Sequence, residues 1–214
     1  MLTINEIFYS IQGESLQAGL PCVFIRLSGC NLRCAWCDTR YAYFEGQDMA
    51  IGDIMEAISA YHPCRLVEIT GGEPLIQAET PVLIHCLLEN GYAVLMETNG
   101  SLNIDRVDRR CVRIVDIKCP SSGEDDHNDL HNLNRMSELD QLKFVIGSRV
   151  DYEFARTMLH KKPVWVKDDH ILFSPANRLV SPAQLAKWIL DDGLGVRLHL
   201  QLHKIIWPDI NRGV

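Results

Sequence analysis

What the sequence lacks narrows the field first. No window reaches the roughly 18 uninterrupted apolar residues of a membrane helix, although 47% of the 214 residues are hydrophobic. The opening Met1-Leu2-Thr3-Ile4-Asn5-Glu6 lacks the basic-then-apolar pattern of a signal peptide, so the expectation is a cytoplasmic chain. Positive charge is scarce. There are 21 Lys and Arg against 28 Asp and Glu, a net charge of −7 with no basic stripe. That disfavours a nucleic-acid partner and favours a small-molecule substrate. No repeat, low-complexity tract or linker divides the chain, and its length suits one domain spanning residues 1–214. The same length falls short of the about 250 residues of a complete eight-fold β/α barrel.

What is present is an alternation of short apolar runs and helical patterns. Strands are expected at Cys22–Ser28, Arg65–Thr70, Tyr92–Thr98, Val112–Lys118 and Leu142–Ile146. Helices are expected at Asp53–Tyr61 and Asp151–Leu159, with two more marked by their ends. One has Thr80 as N-cap, Pro81 at the first position and Asn90-Gly91 as the stop; the other opens on the capping box Ser181-Pro182-Ala183-Gln184 and stops at Gly193. This order implies a parallel sheet with right-handed crossovers, here as a partial β/α barrel, with the ligand site beyond the C-terminal strand ends. A last strand is expected over Val196–His203. Val196, Leu198, Leu200 and Leu202 would line one face; Arg197, His199, Gln201 and His203 would line the other. A polar face on such a strand means either a wet cavity or a solvent-facing edge. Ser121–Asn134, the most polar stretch, is expected to be a solvated loop, or a lid.

Eight cysteines in a cytosolic chain argue against a disulfide framework. Cys22, Cys64, Cys86, Cys111 and Cys119 lie scattered among apolar neighbours and read as buried small hydrophobes. Cys30, Cys34 and Cys37 are clustered as Cys-x3-Cys-x2-Cys just after the first expected strand. Three thiolates so close repel unless a cation neutralises them, which implies a metal or redox role. Structural zinc needs four ligands and usually paired Cys-x2-Cys units; a ferredoxin uses four cysteines. Three cysteines on a four-iron cluster leave one iron without a protein ligand, and an open site is what catalysis needs. A zinc-stabilised binding module ranks below that reading.

The spacing resembles the signature of the radical S-adenosylmethionine (SAM) enzymes. The resemblance implies a [4Fe-4S] cluster on Cys30, Cys34 and Cys37. SAM would chelate the open iron through its amino and carboxylate groups and yield a 5′-deoxyadenosyl radical on reduction. It implies SAM contacts at Trp36, Cys37 and Asp38, and at Gly72 and Glu73 of Thr70-Gly71-Gly72-Glu73-Pro74, whose glycines would let backbone approach the ligand. Asn99, Lys118, Ser121 and Ser122, at the ends of later strands, complete that set. A glycyl-radical activating enzyme would share these motifs.

The N-terminal Glu6-Ile7-Phe8-Tyr9-Ser10-Ile11-Gln12-Gly13-Glu14-Ser15 is not needed for a generic member of that group. With Arg26, Cys37-Asp38-Thr39 and Gln201-Leu202-His203-Lys204 it resembles the family of 7-carboxy-7-deazaguanine synthases, over nearly the whole chain. The resemblance implies conversion of 6-carboxy-5,6,7,8-tetrahydropterin to 7-carboxy-7-deazaguanine with loss of ammonia, in queuosine or other 7-deazapurine biosynthesis. It implies a pterin held by Ile11, Gln12, Gly13, Glu14, Arg26, Thr70, Gln201 and His203. It further implies a magnesium ion at Thr39, a flavodoxin-like reductant and a homodimer. The side chains suit such a substrate. Arg26, opposite in parity to Val23, Ile25 and Leu27, can pair bidentately with a carboxylate, and Gln12 and Glu14 can match a donor–acceptor edge. The histidines at 62, 85, 127, 131, 160 and 170 read as structural or solvated.

Overall fold

A computed structural model describes residues 1–176, 178–210 and 212–214. Among them, nine strands form one sheet in the order β3-β1-β2-β4-β5-β6-β7-β8-β9. The strands are β1 (Leu2–Ile11), β2 (Pro21–Leu27), β3 (Gln47–Met49), β4 (Leu66–Gly71), β5 (Ala93–Thr98), β6 (Val112–Ile117), β7 (Gln141–Ile146), β8 (Ile171–Pro175) and β9 (Arg197–Leu198). From β2 to β9 every pairing is parallel, as the alternation of elements predicts. β1 departs from that rule. It pairs antiparallel with β2 on one side and β3 on the other, so the sheet is mixed. The sheet is open, a partial barrel.

Helices α1 (Ile51–Ser59), α2 (Thr80–Glu89), α4 (Arg149–Leu159) and α5 (Pro182–Asp191) cover the outer face, while α3 (Asn132–Arg135) and α6 (Leu202–Ile206) are short. Their apolar stripes meet the outer-facing strand residues in one core, in which Ile54, Leu83, Tyr152 and Leu185 pack with Val23, Ile25, Ile69, Met96 and Phe144. Ser148 and Ser181 cap α4 and α5, their hydroxyls accepting from Asp151 N and Gln184 N. Gly91 (φ 78°) and Gly193 (φ 60°) follow α2 and α5 in the left-handed conformation that ends a helix. One charged pair is sealed in this layer. Arg113 of β6 and Asp140 are both fully buried, and Arg113 Nε lies 3.1 Å from each carboxylate oxygen. Arg113 also donates to the carbonyls of Ile104 and Arg135.

Several expectations are corrected. Thr80 is the first residue of α2, with Glu79 at the N-cap; its hydroxyl instead donates to Pro74 O at 2.6 Å. The expected last strand over Val196–His203 is a strand only at Arg197–Leu198. His199 N still reaches Phe173 O (2.9 Å), and the chain then leaves the sheet and turns into α6. Cys22, Cys111 and Cys119 are buried as expected, but Cys64 and Cys86 are only half-buried. The Ser121–Asn134 stretch is not merely solvated. Asn132 is fully buried and donates to the carbonyls of Gly100 and Leu102, anchoring the segment to the β5–β6 connection. His62, His85, His127, His131 and His160 are exposed and His170 is half-buried.

Candidate active site

The inner, concave face of the sheet is built in two layers. Strand alternation puts Phe8, Cys22 and Phe24, and then Leu95, Ile114 and Leu172, on that face as an apolar floor. The Phe8 and Phe24 rings stack with centroids 4.9 Å apart. Two residues further along β2, β4, β5, β6 and β7, toward the C-terminal ends of the last four, the same parity delivers Arg26, Thr70, Glu97, Asp116 and Lys143. Glu68 lies level with Phe24 and Leu95, and the ladder sets Glu97 level with Ile114 and Lys143 level with Leu172, so floor and charged layer interleave. The polar layer thus sits where parallel β/α folds hold ligands.

The turn after β1 closes over this layer. Gln12 is buried; its amide nitrogen donates to Glu68 and its carbonyl accepts from Glu14 N at 3.0 Å. Glu14 accepts from Lys143 Nζ and from Gln201 Nε2, the latter at 2.8 Å. Gly13 supplies the close approach: Leu202 N donates to its carbonyl at 2.9 Å, and a Cβ there would stand 2.3 Å from His203 Nδ1. Ser15 N donates to His199 Nε2 at 2.8 Å, and His199 Nδ1 meets Ser174 Oγ at 2.7 Å. Since Nε2 accepts, the neutral ring carries its proton on Nδ1 and donates to Ser174. Ile11, at the end of β1, is half-buried beside this turn.

The charge states follow from burial and pairing. Burial alone would raise Glu14, but Lys143, His199 and His203 hold it well below the usual carboxylate range. Glu97 is pushed up to about 7 by burial and by Glu14 and Asp116, against the pull of Lys143. Glu68 is raised well above the carboxylate range by burial and by Glu97 and Glu14. Burial lowers His199 to about 4 and also lowers His203.

The cysteine loop lies beside this layer. Cys30, Cys34 and Cys37 are each half-buried. Glu73 N donates to Gly29 O (2.8 Å), Ala35 N to Ser122 O (3.0 Å) and Arg33 N to Glu124 (2.7 Å), so the loop is held from two sides. Burial raises the Cys30 and Cys34 thiols, and each thiol feels the charge of its neighbours. Among the described residues no three Cys, His, Asp or Glu side chains are grouped so as to hold a metal ion, and Cys30, Cys34 and Cys37 share a loop without their thiols being gathered. By its chemistry, a set of three soft thiols on one loop suits an iron–sulfur cluster with one open iron better than a four-coordinate zinc site. Only a cation would draw thiolates from such raised thiols. Thr39 Oγ1 lies 3.7 Å from Cys37 Sγ, Trp36 is half-buried, and Asp38 is paired with Lys204.

Other expected contacts prove to be occupied inside the protein. Glu73 is fully buried, and its carboxylate accepts from Leu75 N, Thr98 Oγ1 and Asn99 N. A Cβ on Gly72 would meet Gly29 O at 2.0 Å, so this glycine lets the turn after β4 pack closely against the cysteine loop. Asn99 donates to Asn31 Oδ1 at 3.0 Å, with Cys30 Sγ at 3.9 Å. Ser121 is spent on Asp151 of α4, Ser122 Oγ accepts from Glu124 N, and Lys118 pairs with Asp116 at 2.7 Å. Among the described residues Asp116 Oδ1 is buried without a partner. Arg26 Nε pairs with Glu6 at 2.7 Å between the Phe8 and Tyr41 rings. Among the described residues its two Nη groups make no protein hydrogen bond, so the fork that suits a carboxylate is available. Thr70 pairs with Arg26 across the β2–β4 ladder and is nearly buried. Sequence reasoning missed Glu68, Asp116, Lys143 and Ser174 as parts of this layer; the parity of β4, β6 and β7 was the available signal for the first three, and Ser174 lies on a strand that was not expected. One open depression of about 650 Å³ is lined by Met1, Thr3, Tyr43, Phe44 and Ile76, and none of the inner-face residues lines it. The concentration of paired charges locates the site better than that volume does.

Comparison with known proteins agrees with this geometry. The Radical SAM superfamily signature matches residues 24–132. The 7-carboxy-7-deazaguanine synthase of Koribacter versatilis is 44% identical over the full length of both chains. That of Chlorobaculum tepidum is 46% identical over all of this chain and 97% of its own. Among solved structures, QueE from Escherichia coli superposes with a TM-score of 0.69 at 25% identity, covering 94% of this chain and 93% of the other. These findings do not favour a glycyl-radical activating enzyme or a zinc module. A three-cysteine loop beside a charged inner layer and full-length identity to the synthases lead to one conclusion: the chain belongs to the radical SAM superfamily and, within it, to the 7-carboxy-7-deazaguanine synthases.

Proposed function

We propose that the inner face described above is where 6-carboxy-5,6,7,8-tetrahydropterin becomes 7-carboxy-7-deazaguanine, with loss of ammonia. The observation that carries this assignment is the hydrogen bond from Gln201 to Glu14 (2.8 Å), which brings the two ends of the chain together over one charged layer beside the cysteine loop. The pterin lies against Gln12, Glu14, Thr70, Gln201 and His203, with the backbone of Ile11 and Gly13 at its edge. The free Nη fork of Arg26 takes the substrate carboxylate, and Tyr41 and Phe8 restrict its swing. Glu14 stays ionised under Lys143 and accepts from pterin N–H groups.

Cys30, Cys34 and Cys37 hold the [4Fe-4S] cluster, and Trp36, Asp38, Gly72, Glu73, Asn99, Lys118, Ser121 and Ser122 shape the space for SAM. The last six act largely by fixing the loop and strand ends, since most of their polar atoms already have protein partners. The cluster and SAM, when bound, supply the carbon radical that removes one hydrogen from the pterin. Magnesium sits at the Thr39 hydroxyl. One hard oxygen is enough for an ion that keeps most of its waters and takes the rest of its ligands from the substrate. The electron comes from a flavodoxin-like protein and the working unit is a homodimer, as family membership implies. A cytoplasmic location, where thiols stay reduced, suits the eight free cysteines.

The test is anaerobic turnover of the reconstituted protein with SAM, a strong reductant and the carboxypterin. A deazaguanine ultraviolet spectrum appearing with 5′-deoxyadenosine is expected. SAM cleavage without any deazaguanine would refute the substrate, and protein without iron and sulfide would refute the cluster.

A further inference from the structure

Lys143 has no assigned part in this chemistry. It lies in mid-strand on β7 between Leu142 and Phe144, both of which face the outer core. Its own side chain points the other way and is 7% exposed. The ammonium donates to Glu14 in the turn after β1 and to both carboxylate oxygens of Glu97 on β5, at 3.2 and 3.3 Å. Glu14 also holds Gln201, on the side of the cavity given above to the pterin. Glu97 precedes Thr98 and Asn99, which bond Glu73 and Asn31 on the side of the cysteine loop. One cation therefore spans both sides. Two other lysines near the cavity are already paired, Lys118 with Asp116 and Lys204 with Asp38.

We propose that Lys143 is a positioning residue that ties the pterin side of the cavity, through Glu14, to the SAM side, through Glu97, and sets the ionisation of both carboxylates. This rests on the functional reading above. A buried carboxylate without its cation takes up a proton, and a protonated carboxyl presents a donor where an acceptor is needed. The two partners share the ammonium unequally. Glu14 remains an anion at every physiological pH, whereas Glu97, facing Lys143, Glu14, Asp116 and Glu68, titrates near neutrality. Loss of Lys143 removes the cation whose charge and hydrogen bonds hold Glu97 down, and its titration moves to higher pH.

The experiment compares wild type with Lys143→Met, Lys143→Arg and Glu97→Gln, reading KM for the carboxypterin, KM for SAM and their pH dependence between pH 6 and 9. Lys143→Met is expected to raise the pterin KM by about tenfold or more, because a charge-assisted hydrogen bond is lost. Lys143→Arg should recover most of that. A limb near pH 7 in the SAM KM should shift to higher pH in Lys143→Met and vanish in Glu97→Gln, which a purely structural role would not produce. Should Lys143→Met fail to fold, the other two variants still carry the test: Glu97→Gln with the limb intact overturns the proposal. So does Lys143→Met with KM values and pH profile within about twofold of wild type. A wild type that binds and cleaves SAM but makes no deazaguanine sinks the substrate reading instead; the limb in SAM affinity then decides the part of Lys143 by itself.

Discussion

Gly13→Ala tests how the cavity is closed. A methyl group at this position would stand 2.3 Å from His203 Nδ1, 3.1 Å from its Cγ and 3.0 Å from the backbone nitrogen of His203. The imidazole can rotate away; the backbone nitrogen moves only if α6 moves. That motion stretches the Leu202 N to Gly13 O hydrogen bond, now 2.9 Å, and loosens Gln201 from Glu14. Overpacking of this kind costs about 1–3 kcal/mol, and the hydrogen bond about 0.5–1.5 kcal/mol. For a chain of this size the melting temperature should fall by roughly 4–15 °C. The pterin KM should rise as well, because Gln201 and His203 both ride on the displaced segment. Gly52→Ala in α1 is the control. A methyl group there meets nothing within 4 Å, so the helix should gain roughly 0.5–1 kcal/mol from better propensity. Thermal melts of both variants under anaerobic conditions, with steady-state kinetics, decide the matter. An unchanged melting temperature and pterin KM in Gly13→Ala would refute the argument that α6 rests on this residue.

Two further outcomes follow from the buried groups. Arg113→Met leaves the Asp140 carboxylate uncompensated in a fully buried site, so the urea midpoint should drop by the equivalent of about 3–5 kcal/mol. His199 is neutral in the fold, with its titration lowered from 6.5 to about 4. Its stabilisation is therefore complete above pH 6.5 and is lost as pH falls toward 4, about 3 kcal/mol in all. Neighbouring carboxyls raised by burial change in the opposite sense over this range, so the pH slope is to be compared between wild type and His199→Leu. Equal slopes would show that His199 is not the group responsible.

The parallel part of the sheet was legible because β2, β4, β5, β6 and β7 are runs of apolar residues bounded by turn residues, as buried strands must be. β1 was hidden by its own composition. Asn5, Glu6 and Ser10 interrupt the apolar run, and a shift of register between Ile4 and Glu6 breaks the alternation. β8 is five residues long and ends in Pro175, too short to separate from a loop. The alternation over Val196–His203 gave the right polarity for the wrong reason. His199 and Gln201 do reach the cavity, but by a backbone that has left the ladder. The cysteine loop was legible from its spacing, whereas the Gln12-Gly13-Glu14 turn was legible only through its resemblance to the synthases. Lys143, by contrast, is a single lysine in an apolar strand, and only the three-dimensional parity of the sheet shows that it faces two carboxylates rather than water.

The bond between Glu14 and Gln201 joins residues 187 apart in the chain. Such a closure pays its loop entropy late, after the intervening strands have already paired. The contacts that hold the floor and the cysteine loop span shorter stretches of chain, so this bond is expected to be the last wall of the chamber to form.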